Sequence, residues 1–200
     1  MKLANFTIDQ LKALPLRAIV AFAARCARRV EPLAQLPDGN PQRESRREAV
    51  EAALRMAESF ARGTDDPPDE SVVAAIDASR DAGGEPACEA AASAIAQAAH
   101  AAASAWHAWS PAAEGSRVSG GQTIEAGRFL GALSHTTAEL AAMNAFTAAA
   151  EAFVSVGYRN EHFVDSALKD YHTLVGLELG RYPEPGAPVD PSPGGPLGPL

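Results

Sequence analysis

The residues able to do chemistry are sparse: five histidines and two cysteines in 200 residues. His162 and Asp165 stand three apart with Glu161 beside them, which places an imidazole and two carboxylates in one helical turn, a grouping that suits a divalent cation. Acidic residues at that place also complement the positive end of a helix starting there, which needs no ligand. His100 and His107 share a helix face, but seven residues rise about 10.5 Å, too far for two ligands of one ion. Ser134 and His135 are adjacent, and adjacent residues on a helix point in different directions, so they do not form a nucleophile and base. Gly120-Gly121 precedes a helix without the lysine or serine of a phosphate loop and reads as a turn. No nucleophile elbow, HExxH pair or paired CxxC is present. Cys26 and Cys88 are isolated and read as buried thiols. No catalytic set and no cofactor follow from these residues.

Arginines form the other candidate group. Arg25, Arg28, Arg29, Arg43 and Arg47, together with Arg46, supply guanidinium groups suited to phosphate or carboxylate. Residues 1–62 carry eleven Lys and Arg against seven Asp and Glu, whereas residues 63–200 carry six against eighteen. The net charge of −8 and the interleaved Glu44, Glu48 and Glu51 disfavour nucleic acid and favour a salt-bridged face or an acidic protein partner.

The elements that must position these groups are helices. Ala87 to Ala105 holds twelve alanines without glycine or proline, and alanine has almost no side-chain entropy to lose in a helix. Its small side chains let neighbouring helices approach closely. Helices are expected at Ile8 to Leu14 after an N-cap at Thr7, Pro15 to Val30, Gln42 to Arg62, Glu70 to Ala82 and Pro86 to Trp109. A stretch from Thr123 with a break near Ser134, Thr137 to Val156, and a last helix from an Asn160 cap to Gly180 complete the series. The helix at Pro15 to Val30 is expected to bury one stripe and leave its arginines off it. Val50, Ala53, Leu54, Ala57, Phe60 and Ala61 form the expected buried face of the next long helix. Leu140, Met143, Phe146, Ala150, Phe153 and Val154 form that of Thr137 to Val156, and Val164, Ala167, Leu168, Tyr171, Leu174 and Val175 that of the last. Residues 111 to 122 read as the longest internal loop.

From Arg181 onward seven of twenty residues are proline and four are glycine, a composition that favours extended or polyproline conformations. Tyr182, Val189 and Leu197 are the candidate anchors of this tail, with order expected to Pro191 and disorder after it. The chain therefore divides into a helical bundle domain, residues 1–180, and a Pro/Gly-rich tail, residues 181–200. The fold class is all-α, a single bundle of six or seven helices.

The run Leu14 to Val30 (LPLRAIVAFAARCARRV), the alanine-rich middle, and the ending GRYPE with PVDPS resemble uncharacterised helical proteins of high-GC, planctomycete-type bacteria. That resemblance implies no activity and no site residues. The absence of a signal-peptide pattern and of a long apolar run points to a cytoplasmic, non-membrane protein. The leading expectation is an intracellular protein-interaction or scaffold module with a protein partner or a homodimer, touching that partner through the five arginines at 25, 28, 29, 43 and 47. The alternatives are a small helical metal-binding protein or enzyme using His162 and Asp165, and a nucleic-acid binder using the N-terminal arginines.

Overall fold

A computed structural model describes residues 6–64, 66–80, 85–110, 124–157 and 160–200, with side chains from residue 133 onward in the helix that begins at 124. Seven α-helices appear among the described residues: α1 (Ile8–Leu11), α2 (Leu16–Val30), α3 (Arg43–Ala61), α4 (Glu70–Ser79), α5 (Pro86–Trp109), α6 (Ile124–Ser155) and α7 (Glu161–Gly176). A 3-10 turn at Glu31–Ala34 follows α2, and no strand occurs among the described residues. The expected loop at residues 111 to 122 and the expected helix end at Ala82 lie outside the described residues. No helix among the described residues is long and apolar enough to cross a membrane.

Local chemistry explains where these helices start. Thr7 and Gln10 cap α1 reciprocally, each side chain meeting the other's backbone N–H. Asn160 accepts from the Phe163 N–H at 3.1 Å and opens α7. The N-terminus of α2 has no side-chain cap. Its free donors go instead to the tail, Leu16 N–H to the Glu184 carbonyl and Arg17 N–H to the Pro185 carbonyl, both at 2.9 Å.

The position of α2 corrects the amphipathic reading. Of its fifteen residues only Arg28 and Arg29 are less than fully buried. The helix runs through the middle of the bundle, touching α3, α5, α6 and α7, so it has no solvent face on which to leave its arginines. The face of α3 is buried as expected, with Arg46 added to it. On α4, Ile76 is fully buried while Val72 and Val73 are partly covered.

α6 differs most from expectation. It continues through Ser134 without a break, and Thr137 Oγ1 donates to the Leu133 and Ser134 carbonyls, both at 3.0 Å, rather than serving near a helix start. Its buried described residues are Ala138, Ala141, Ala142, Ala145, Ala148, Ala149, Ala152 and Ser155. Leu140, Met143 and Val154 point outward, Ala150 is exposed, and Phe146 and Phe153 lie part-covered at the edges. The alanine face packs chiefly against α5, itself buried through Ala91, Ala94, Ala98, Ala101, Ala102 and Ala105. Two alanine surfaces permit the closest approach between helices, and a close seam excludes longer side chains from it. On α7, Val175 is exposed rather than buried, and the helix ends at Gly176, four residues before the expected Gly180.

The tail crosses the bundle in contact with α2 and the end of α3. Gly186 has φ +75° and passes so close to Pro15 that an added Cβ would stand 2.5 Å from that ring. Val189 N–H donates to the Ala61 carbonyl at 2.8 Å, and Val189 and Leu197 are buried. Asp190 is held by the Ser192 N–H at 3.0 Å, the Arg62 Nε at 3.0 Å and the Ser192 hydroxyl at 2.9 Å. These bonds, the Ser192 N–H foremost, lower its carboxyl below the usual aspartate value. A lowered folded-state value means stability that is present at neutral pH and lost as pH falls through that value, below about pH 4. Asp190→Asn is therefore expected to be less stable than the parent at pH 7, with the gap closing toward pH 3. Urea titrations at several pH values check this, and a gap unchanged with pH contradicts it.

Candidate interaction surface

The arginines expected to meet a partner are committed within the molecule. Arg25 is 1% exposed, and its Nε and Nη2 form a two-point pair with Asp170, also 1% exposed, at 3.1 and 3.2 Å. The same guanidinium donates to the carbonyls of Pro191 (3.3 Å), Leu197 (3.4 Å), Gly198 (2.8 Å) and Pro199 (2.9 Å). One side chain thus joins α2, α7 and the last ten residues, using the planar fork that lysine lacks. Arg29 Nη2 closes on Asp170 Oδ2 at 2.7 Å.

Arg28 meets Glu58, Glu31 and Glu51 at 2.7 to 3.0 Å. Burial opposes its charge, and these three carboxylates outweigh burial, so its pKa is raised. Arg43 pairs with Asp38 and Arg47 with Glu44, all on exposed side chains. Arg46, fully buried, donates to the carbonyls of Ser79 (2.9 Å) and Cys88 (3.0 Å) and so ties α3 to the end of α4 and the start of α5. Arg17 donates to the Gly186 carbonyl at 3.0 Å and lies 4.9 Å above the Trp109 ring. Of the five arginines expected to meet a partner, Arg25 is buried and Arg29 is largely covered beside Asp170, which takes these two out of any docking patch, whereas Arg28, Arg43 and Arg47 lie nearer the surface, each beside its own carboxylates.

His162 and Asp165 are both exposed on the first turns of α7. Among the described residues no three His, Cys, Asp or Glu side chains come together as a metal site. His100 binds Asp77 at 3.0 Å, and His107 stacks edge-on against Trp106. Both cysteines are free thiols inside the bundle, and burial pushes the Cys26 thiol up to about 12. An open groove of about 380 Å3 between α3, α4 and α5 has Met56, Phe60, Val72 and Trp106 in its wall and Arg55, Asp66 and Asp69 alongside. Its lining holds no histidine or cysteine, and its one hydroxyl is that of Ser59.

Among the described residues, α6 carries more exposed large apolar side chains than any other helix. Leu133 is 47% exposed, Leu140 43%, Met143 51% and Val154 39%. Thr136 and Ala150 on the same side are exposed and Thr147 is half-covered. The flanks carry little charge. Glu139 is paired with Lys12 from α1, which lowers its carboxyl, and Asn144 donates to the Ser104 hydroxyl at 3.4 Å. Among the described residues Glu151 is the other acidic residue beside the stripe, and His135 stands exposed 3.9 Å from Glu139. A largely uncharged apolar stripe on a helix whose other face is already packed can bind another apolar surface and nothing ionic. Four large apolar residues at spacings of seven, three and eleven are visible in the chain itself, but that pattern does not say which side of the helix is inside.

No protein-family model, no curated protein and no solved structure matches this chain.

Proposed function

We propose that this chain is a protein-interaction module whose docking element is the outward face of α6. A single observation carries this reading: the helix turns alanines inward and Leu133, Leu140, Met143 and Val154 outward. Apolar side chains of that size stabilise a structure only when covered, at about 25 cal/mol for each Å2 removed from water. Here the fold itself leaves them uncovered. The committed arginines and exposed His162 and Asp165 offer no competing site of comparable definition.

A photo-crosslinking side chain placed at Met143 and, in a second preparation, at Glu44 on the exposed face of α3 tests the assignment in the cells that make the protein. The expected result is a discrete adduct from position 143 and none from position 44. Equal labelling at both, or none at either, contradicts it.

A further inference from the structure

We propose that the cleft along α2 is a binding site for a proline- and glycine-rich peptide. The chain's own tail is its resident ligand, and a free peptide of the same pattern displaces it. This site lies apart from the outward face of α6 and does not depend on what docks there.

The hydrogen bonds between tail and helices are one-sided. At the start of α2 the Leu16 and Arg17 N–H groups and the Arg17 guanidinium donate to the carbonyls of residues 184, 185 and 186 at 2.9 to 3.0 Å. Further along, Arg25 donates to those of residues 191, 197, 198 and 199 at 2.8 to 3.4 Å. Among the described residues the helices receive one backbone bond in return, Val189 N–H to the Ala61 carbonyl. Proline has a carbonyl and no N–H, so a peptide rich in it presents more acceptors than donors. A cleft made of donors fits that imbalance. α2 starts without a side-chain cap of its own, and the peptide supplies the acceptors that its first N–H groups lack.

Further contacts make the site selective. Gly186 fits against Pro15 because it has no Cβ, and its φ of +75° is one that other residues rarely adopt. Val189 and Leu197 fill apolar positions, and Asp190 between them meets the Arg62 Nε at 3.0 Å. The pattern is a glycine, an apolar residue three positions on, an acid directly after it, and a second apolar residue eight positions beyond the first. The hold is also shallow. Of residues 181–200 only Val189, Pro191 and Leu197 are buried, and a segment with few buried apolar contacts opens at lower free energy than the core. Once the tail lifts, water reaches Arg25 and the start of α2, while Asp170 keeps its two-point pair with Arg25. The donors therefore stay in place without their ligand.

A protease recognition sequence inserted after Glu178, an exposed turn residue, lets the tail be cut from the folded full chain. The cut protein is expected to keep its helical circular dichroism and to exchange its tail for a labelled synthetic peptide of residues 179–200, read by fluorescence anisotropy. The same peptide with Gly186→Ala is expected to bind about tenfold more weakly or worse, because a side chain at that backbone angle is strained. Hydrogen exchange reads the same opening in the uncut chain: the Val189 amide is expected to exchange about tenfold faster, or more, than the amides of buried α5. A cut protein that unfolds as the tail leaves shows a structural segment and overturns the proposal. Failure of the labelled peptide to enter at millimolar concentration does so too, as does equal binding of the Gly186→Ala peptide. Exchange of the Val189 amide at the rate of the α5 amides overturns it without any cut.

Discussion

Replacing Arg25 with methionine is expected to destabilise the protein by about 3–5 kcal/mol, the cost of breaking a buried ion pair from one side. Asp170 would keep only Arg29, whose Nη2 touches one of its two oxygens. The carbonyls of Pro191, Leu197, Gly198 and Pro199 would lose their common donor, and a buried acceptor without a donor costs about 1–3 kcal/mol unless water reaches it. The tail is expected to lift from α2 so that water does. The variant would therefore lose about 10 °C in thermal midpoint and become open to proteolysis beyond residue 181. Arg25→Lys keeps the charge but reaches fewer of those oxygens, and its loss should fall between the two. Asp170→Asn should resemble Arg25→Met, because it leaves two buried guanidinium groups beside each other. Thermal and urea unfolding followed by circular dichroism measure these effects. A change below 1 kcal/mol for Arg25→Met would mean that the pair contributes little beyond its own desolvation cost.

The second large effect concerns α6 and reverses the usual rule for helices. Ala145→Leu, at a position with no exposed surface, adds three carbons to the alanine seam, and overpacking of a close-packed contact costs about 1–3 kcal/mol. Leu140→Ala, on the outward face, should change the stability of the single chain by no more than about 0.5 kcal/mol. A core leucine cut to alanine costs about 2–5 kcal/mol, so the two alternatives for Leu140 are well separated. Denaturant titration at low protein concentration is the measurement. A large loss for Leu140→Ala together with tolerance of Ala145→Leu would show α6 turned the other way.

These two helices mark how far the sequence could be read. The bounds of α5 follow from Pro86 at its start, the alanine run, and Ser110-Pro111 beyond its end, and the structure has the same bounds. The buried face of α3 was legible because its apolar residues form one stripe between charged ones. On α6 nearly every position is apolar or small, so two opposite faces both qualify as core. Periodicity cannot choose between them, since size decides, and the tolerated size is set by the face of α5 packed against it. The arginines were misplaced for another reason. Arginine is ordinarily exposed, and the partners that let it go inside are remote in the chain: Asp170 lies 145 residues from Arg25, and the carbonyls of the tail lie 166 to 174 residues away. Backbone carbonyls are acceptors on every residue, so no residue type announces them. The stripe with which α6 faces outward was present in the chain as a run of three and four residue steps, but its function depends on the face being left uncovered.

Native mass spectrometry of the untagged chain isolated from its own cells, run beside a Leu140→Glu/Met143→Glu variant, measures whether the outward face of α6 docks a partner. The wild type is expected to carry a second polypeptide in fixed ratio, and the variant to appear as a folded single chain. A wild type that appears as a single chain, indistinguishable from the variant in bound mass, would contradict that docking.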